Sequence, residues 1–137
     1  MPVERSCGAV VFNDGGYLLL RYGRGHWGFV KGNVEPGEDE RETVLREAEE
    51  ETGLTPEQLS FVEGFRETTS YFYKKDGATI YKEVVFFLAE SRSREVSLSH
   101  EHTDHAWLGY TEAMEQLTYD NAKNVLEKAE RHRQKIL

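Results

Sequence analysis

Glu47, Glu50 and Glu51 stand at i, i+3 and i+4 within the run Gly32–Leu54, GNVEPGEDERETVLREAEEETGL. At about 3.6 residues per turn, that spacing brings three carboxylates onto one helix face. Like charges so placed repel, and the face opposes its own helix unless it is solvated or a cation sits on it. Gathered carboxylate oxygens are hard ligands that suit Mg2+ or Mn2+ better than zinc. Mg2+ shares its coordination sphere with water and substrate phosphates, so the chemistry indicated is divalent-metal chemistry on phosphate. Val44, Leu45 and Ala48 fall on the other face and are expected to pack inward.

The neighbouring elements must deliver this face. Pro36-Gly37 is a turn dipeptide, Glu38 to Glu40 place negative charge where the helix begins, and Gly53 sits where a left-handed cap would end it. Upstream, Ser6–Phe12 and Tyr17–Tyr22 read as strands joined by a hairpin turn at Asn13-Asp14-Gly15-Gly16. A loop over Gly23–His26 and a short strand over Trp27–Val30 then lead to Lys31 and Gly32, which predicts the acidic face at a sheet edge. Lys31 beside it is either a phosphate contact or a salt-bridge partner.

Downstream, Thr55-Pro56-Glu57-Gln58 has the form of a capping box opening a single turn. Ser60–Tyr73 is β-rich, Lys74–Gly77 is a turn, and Thr79–Glu90 is the most apolar strand and the expected sheet centre. Ser91–Leu98 reads as loop, Ala106–Leu108 as a short strand, and Thr111 starts a helical region. A last helix begins at Thr118 or Tyr119, with Ala122, Val125, Leu126 and Ala129 as its apolar stripe and Glu127 facing Arg131. The basic tail Arg131, Arg133 and Lys135 complements the helix dipole. This order predicts an α/β chain with a mixed sheet covered by helices on two faces, and no linker divides residues 1–137.

The run resembles the Nudix box, G-x5-E-x7-R-E-U-x-E-E-x-G-U with U apolar. Gly32, Glu38, Arg46, Glu47, Ala48, Glu50, Glu51, Gly53 and Leu54 fill every defined position. The resemblance implies an α/β/α sandwich in which the box forms a loop-helix-loop. It implies that Glu47, Glu50 and Glu51, with the Gly32 carbonyl, bind Mg2+ or Mn2+. Arg46 would orient the glutamates, a task its planar fork suits, and Glu38 would support them. The metal would offset charge on the phosphate oxygens and acidify a water for in-line attack on phosphorus. Glu50, Glu51 and Glu101 are the candidates for taking that water's proton.

Segments outside the box resemble the asymmetrical diadenosine tetraphosphate hydrolases. His26–Glu38 is close to their W-x-x-P-K-G-H-V-E-x-G-E, with Val30 in place of the proline and Asn33 in place of the histidine of animal members. Lys82–Glu90, Leu98–His102, Trp107–Gly109 and Glu112-Ala113 continue the likeness. It implies that Phe86 and Tyr119 stack on adenine, that Lys82 lies near the polyphosphate, and that Glu101 reaches the metals. An aromatic inside VVFFL is equally at home in a core, and Tyr81 stands in reserve. His100-Glu101-His102-Thr103-Asp104-His105 is not the zinc-protease H-E-x-x-H, because Asp104 stands where the second histidine would be.

The 137 residues allow one compact domain with a real core. The net charge of -8 argues against a general affinity for nucleic acid backbones, while a bound metal would still admit a small polyanionic nucleotide. No apolar run is long enough to span a bilayer, and the lone Cys7 has no internal disulfide partner, which together suggest a cytoplasmic setting. The expected activity is metal-dependent hydrolysis of diadenosine tetraphosphate to ATP and AMP. Alternatives are another substrate, such as a nucleoside triphosphate, a nucleotide sugar or an RNA 5′ end, or a non-catalytic nucleotide-binding module.

Overall fold

The computed structural model describes residues 2–136. Strand β1 (Val3–Asn13) is the hub of the sheet. One of its edges pairs in parallel with β7 (Ala78–Ser91), from Val3–Tyr81 to Phe12–Glu90. Its other edge is shared. The C-terminal end of β1 pairs with β2 (Gly16–Tyr22) across the expected hairpin turn, and the N-terminal end pairs antiparallel with β4 (Val30–Asn33). The sheet therefore forks where β2 and β4 leave β1. Strand β8 (His102–Leu108) lines β2 beyond the fork, and β3 (Trp27–Gly28) adds two pairs to β2. On the far side β7 carries β6 (Glu67–Lys75) and β5 (Leu59–Phe61).

Strand periodicity explains the layering. Cys7, Ala9, Val11, Leu18, Leu20, Phe87 and Ala89 face one way and bury Val44 and Ala48 of helix α1 (Glu40–Thr52). The alternate residues Val10, Phe12, Tyr17, Leu19, Val84, Phe86 and Leu88 face the other way. They bury Ala113 of α2 (Tyr110–Gln116) and Val125, Leu126 and Ala129 of α3 (Asp120–Ile136). The result is the expected α/β/α sandwich with a mixed sheet. Among the described residues, no helix is long and apolar enough to cross a membrane.

Three elements differ from the sequence expectation. The strand expected over Trp27–Val30 is broken at Phe29, because Trp27-Gly28 pairs with β2 whereas Val30 joins β1. The β-rich Ser60–Tyr73 stretch is interrupted by a turn at Gly64, whose φ is 84°, and becomes β5 and β6. Strand β8 begins at His102 rather than Ala106, because Asp104 and His105 continue the ladder with Arg21 and Leu20. The 3-10 turn Pro56–Gln58 carries the capping box read from the sequence.

Candidate active site

Helix α1 is fixed at both ends by local chemistry. Asp39 is its N-cap, accepting from the Glu42 amide at 2.8 Å while the Glu42 carboxylate accepts from the Asp39 amide at 2.9 Å. Glu38 thus precedes the helix rather than opening it. At the other end Gly53 takes the left-handed conformation at φ 77°, and its amide donates to the Glu49 carbonyl.

Arg46 gathers the acidic residues. Its Nε and Nη2 donate to the two oxygens of Glu38 at 2.6 and 3.0 Å. Its Nη1 donates to Glu47 Oε1 at 2.8 Å and approaches Glu50 Oε2 at 3.3 Å, while Nη2 also donates to the Asn33 carbonyl at 2.9 Å. The guanidinium therefore ties the pre-helical turn, the end of β4 and two glutamates of the face. The Glu38 carboxyl, hydrogen-bonded to Arg46 and to the Glu35 amide, is held down to about 2.

Glu51 shares the acidic face that charge spacing predicts, yet it is buried rather than solvated. Its Oε1 accepts the Lys31 amide at 3.0 Å on the edge of β4 that faces away from β1, and its Oε2 lies 3.3 Å from His102 Nε2. Burial, reinforced by the charge of Glu47, pushes its carboxyl up to about 8. Burial also raises Glu47, against the opposing pull of Arg46. The charge of Glu101 bears on both Glu47 and Glu51, and the Glu101 carbonyl accepts the Gly23 amide at 3.1 Å.

The donor set suits a hard divalent cation. A Cβ at Gly32 would collide with the Glu47 carboxylate, so only glycine lets this group lie against the β4 backbone. Glu47 and Glu50 are spanned by one Arg46 nitrogen, and among the described residues no three such ligating side chains already close on one point. Ion binding would draw Glu47, Glu50 and Glu51, with the Gly32 carbonyl, onto a shared position, and Glu50 is exposed and free to turn.

On the α3 side of β4 lies a cavity of about 740 Å³. Lys31, Lys82, Phe86 and Tyr119, the four substrate contacts expected from sequence, all line it. They differ in access. Tyr119, just before α3, is 59% exposed, whereas Phe86 is 5% exposed and packs edge-on against Phe29 at 5.6 Å. Lys31 Nζ lies 3.5 Å from the Tyr71 hydroxyl and 5.5 Å from that ring's centre. Burial and the charge of Lys82 lower the Lys31 ammonium to about 8. Lys82 Nζ donates to Asn33 Oδ1 at 3.3 Å.

Several residues join the site that sequence reasoning missed. Tyr22 stacks on His26 at 4.6 Å and 4°, His26 meets Tyr119 at 5.5 Å, and Tyr71 and Phe72 also line the cavity. His102, read only as part of a histidine cluster, is buried beside Glu51. These groups come from β2, the loop after it, β6 and β8, so no local spacing marks them. Lys31 links the two halves, since its amide holds Glu51 and its side chain enters the cavity.

Comparison with known proteins gives a consistent picture. The NUDIX domain profile matches residues 2–129. The chain is 36% identical, over an alignment of 137 residues covering 90% of each protein, to the asymmetrical bis(5′-nucleosyl)-tetraphosphatase of Rattus norvegicus. It is 34% identical over 112 residues to a nucleoside triphosphatase of Escherichia coli, covering 72% of this chain and 77% of that one. In structure it is similar to a C. elegans Ap4A hydrolase solved as a binary complex, with a TM-score of 0.82 and 33% identity over 94% of this chain and 96% of that one.

Proposed function

The chain belongs to the Nudix hydrolase family, and from that premise we propose that it cleaves diadenosine tetraphosphate to ATP and AMP in the cytoplasm. The observation that carries this reading is the double use of Lys31. A polyphosphate held by Lys31 and Lys82 in the aromatic cavity is led to the glutamate face on the other side of β4. His26, Tyr71 and Tyr119 offer partly exposed rings to adenine, while the buried Phe86 supports the cavity.

Glu47, Glu50, Glu51 and the Gly32 carbonyl would hold Mg2+ or Mn2+. When bound, the cation supplies positive charge against the phosphate oxygens and acidifies water. The ammonium groups of Lys31 and Lys82 offset charge along the phosphate bridge. Arg46 keeps Glu47 oriented, and Glu50, Glu51 and Glu101 are the candidates to accept the proton that the attacking water loses. The water oxygen forms a new bond to a bridge phosphorus, the bond to the next bridging oxygen breaks, and AMP and ATP separate.

Product chromatography with Mg2+ and parallel diadenosine tetraphosphate, ATP, ADP-ribose and 5′-triphosphorylated RNA tests the assignment. ATP plus AMP from the first, at the highest kcat/KM, is the expected outcome. Faster turnover of ATP would favour the nucleoside triphosphatase reading suggested by the E. coli relative and would remove the substrate assignment. Full activity in Glu50→Gln would overturn the metal-site assignment.

A further inference from the structure

His102 has no solvent-accessible side-chain surface, and its Nε2 has no hydrogen-bond partner among the described residues. A buried imidazole nitrogen without a partner is costly, and such groups call for an explanation. A carboxylate oxygen, Glu51 Oε2, lies 3.3 Å from this nitrogen, close enough for a small rotation to close a hydrogen bond.

The surroundings fix the ring. Its Nδ1 lies 3.2 Å from Ser99 Oγ, and Tyr22 meets it edge-on at 4.5 Å. With the Ser99 hydroxyl donating to Nδ1, the hydrogen of the neutral ring sits on Nε2, on the side of the ring nearest Glu51 Oε2. The segment carrying these groups is itself attached to the end of α1. The Ser97 amide donates to the Thr52 carbonyl at 2.8 Å and the Ser99 amide to the Glu51 carbonyl at 3.2 Å. Ser99 thus contacts the Glu51 backbone and orients the ring that faces the Glu51 carboxylate.

We propose that His102 is a positioning residue whose Nε2–H holds Glu51 Oε2, so that the buried carboxylate keeps one orientation toward the cation. This rests on the metal-site reading above. The Lys31 amide holds Oε1, and with His102 on Oε2 the carboxylate is restrained at both oxygens, leaving its remaining lone pairs for a metal. Glu47 and Glu50 have Arg46 for this purpose, and Arg46 makes no hydrogen bond to Glu51.

The test uses Mn2+ alone as the probe, with free ion followed by electron paramagnetic resonance and thermal stability measured without metal. His102→Phe keeps a ring against Tyr22 and removes the donor. It is expected to weaken Mn2+ binding about tenfold or more, with the metal-free Tm within a few degrees of wild type. His102→Gln restores an amide donor and is expected to recover most of the affinity. Wild-type Mn2+ affinity in His102→Phe would overturn the proposal, as would equal losses in the Phe and Gln variants. Glu47→Gln separates the two levels of inference. If wild type and Glu47→Gln bind Mn2+ equally poorly, the metal site itself is wrong and the role of His102 falls with it.

Discussion

Before the first turn of α1, Glu38 receives two nitrogens of Arg46 and lies beside a helix N-terminus. In the last turn Glu51 has no cation of comparable reach, the helix carries no basic residue there, and the backbone dipole presents its negative end. The two carboxyls move in opposite directions, Glu38 down to about 2 and Glu51 up to about 8. The first arrangement satisfies its charges internally and makes a rigid post. The second holds a carboxylate whose charge is uncompensated by the protein, which is what a ligand for a divalent cation needs. One helix thus carries an end whose charges are satisfied internally, the structural end, and an end proposed to hold the cation, the reactive end, joined by Arg46 reaching to Glu47 and Glu50.

Removing the charge at the reactive end should separate stability from activity. Glu51→Gln is expected to cost about 10³-fold or more in kcat/KM, because in the proposed site it would remove a metal ligand worth several kcal/mol to the transition state. The same change should stabilise the metal-free protein. A carboxyl raised above its ordinary 4.5 to about 8 costs nothing below 4.5, costs progressively more across that window, and costs in full above 8. Melting in EDTA from pH 5 to 9 should therefore show wild type losing stability relative to Glu51→Gln as pH rises. A constant difference across the range would mean that the two ends of α1 are not electrostatically distinct.

At the structural end the expected loss is in stability. Arg46→Ala leaves Glu38 and Glu47 without their shared cation and removes the tie to the Asn33 carbonyl. The change should cost about 2–4 kcal/mol by chemical denaturation. Arg46→Lys should recover only a minor part, since one ammonium cannot bond both Glu38 oxygens in the plane and still reach Glu47. Full recovery by lysine would show that the fork geometry is unimportant.

The contrast was partly legible in the sequence. The spacing of Glu47, Glu50 and Glu51 on one face and the cap at Gly53 follow from local positions, while the gathering role of Arg46 is an implication of the Nudix resemblance. The burial of Glu51 was also within reach of periodicity, because Val44, Ala48 and Glu51 stand at i, i+4 and i+7 and share the inward stripe. Sequence reasoning placed Glu51 by its charge and passed over that stripe. Phe86 follows similar arithmetic, since it alternates in step with Val84 and Leu88 and so faces the α3 core. His102, Tyr22 and Tyr71 carried no such signal. They reach the site only because the sheet forks at β1 and because β6 folds back on β7.

Acid titration gives the smallest effect and reports on the structural end alone. The Glu38 carboxyl lies below its ordinary 4.5, so the stability it contributes is fully present above 4.5 and is lost as pH falls toward about 2. Glu38→Gln keeps an oxygen that can accept from Arg46 and removes the charge. It should lower Tm by a few degrees at neutral pH, and the gap to wild type should close between pH 4.5 and 2. Turnover at neutral pH should fall far less than in Glu51→Gln, because Glu38 touches Arg46, Thr43 and the Glu35 amide but sits outside the Glu47, Glu50 and Glu51 face. A loss in Glu38→Gln as large as that in Glu51→Gln would mean that the post positions the ligands as strongly as they bind. The division along α1 would then be one of charge compensation alone and not of chemical role.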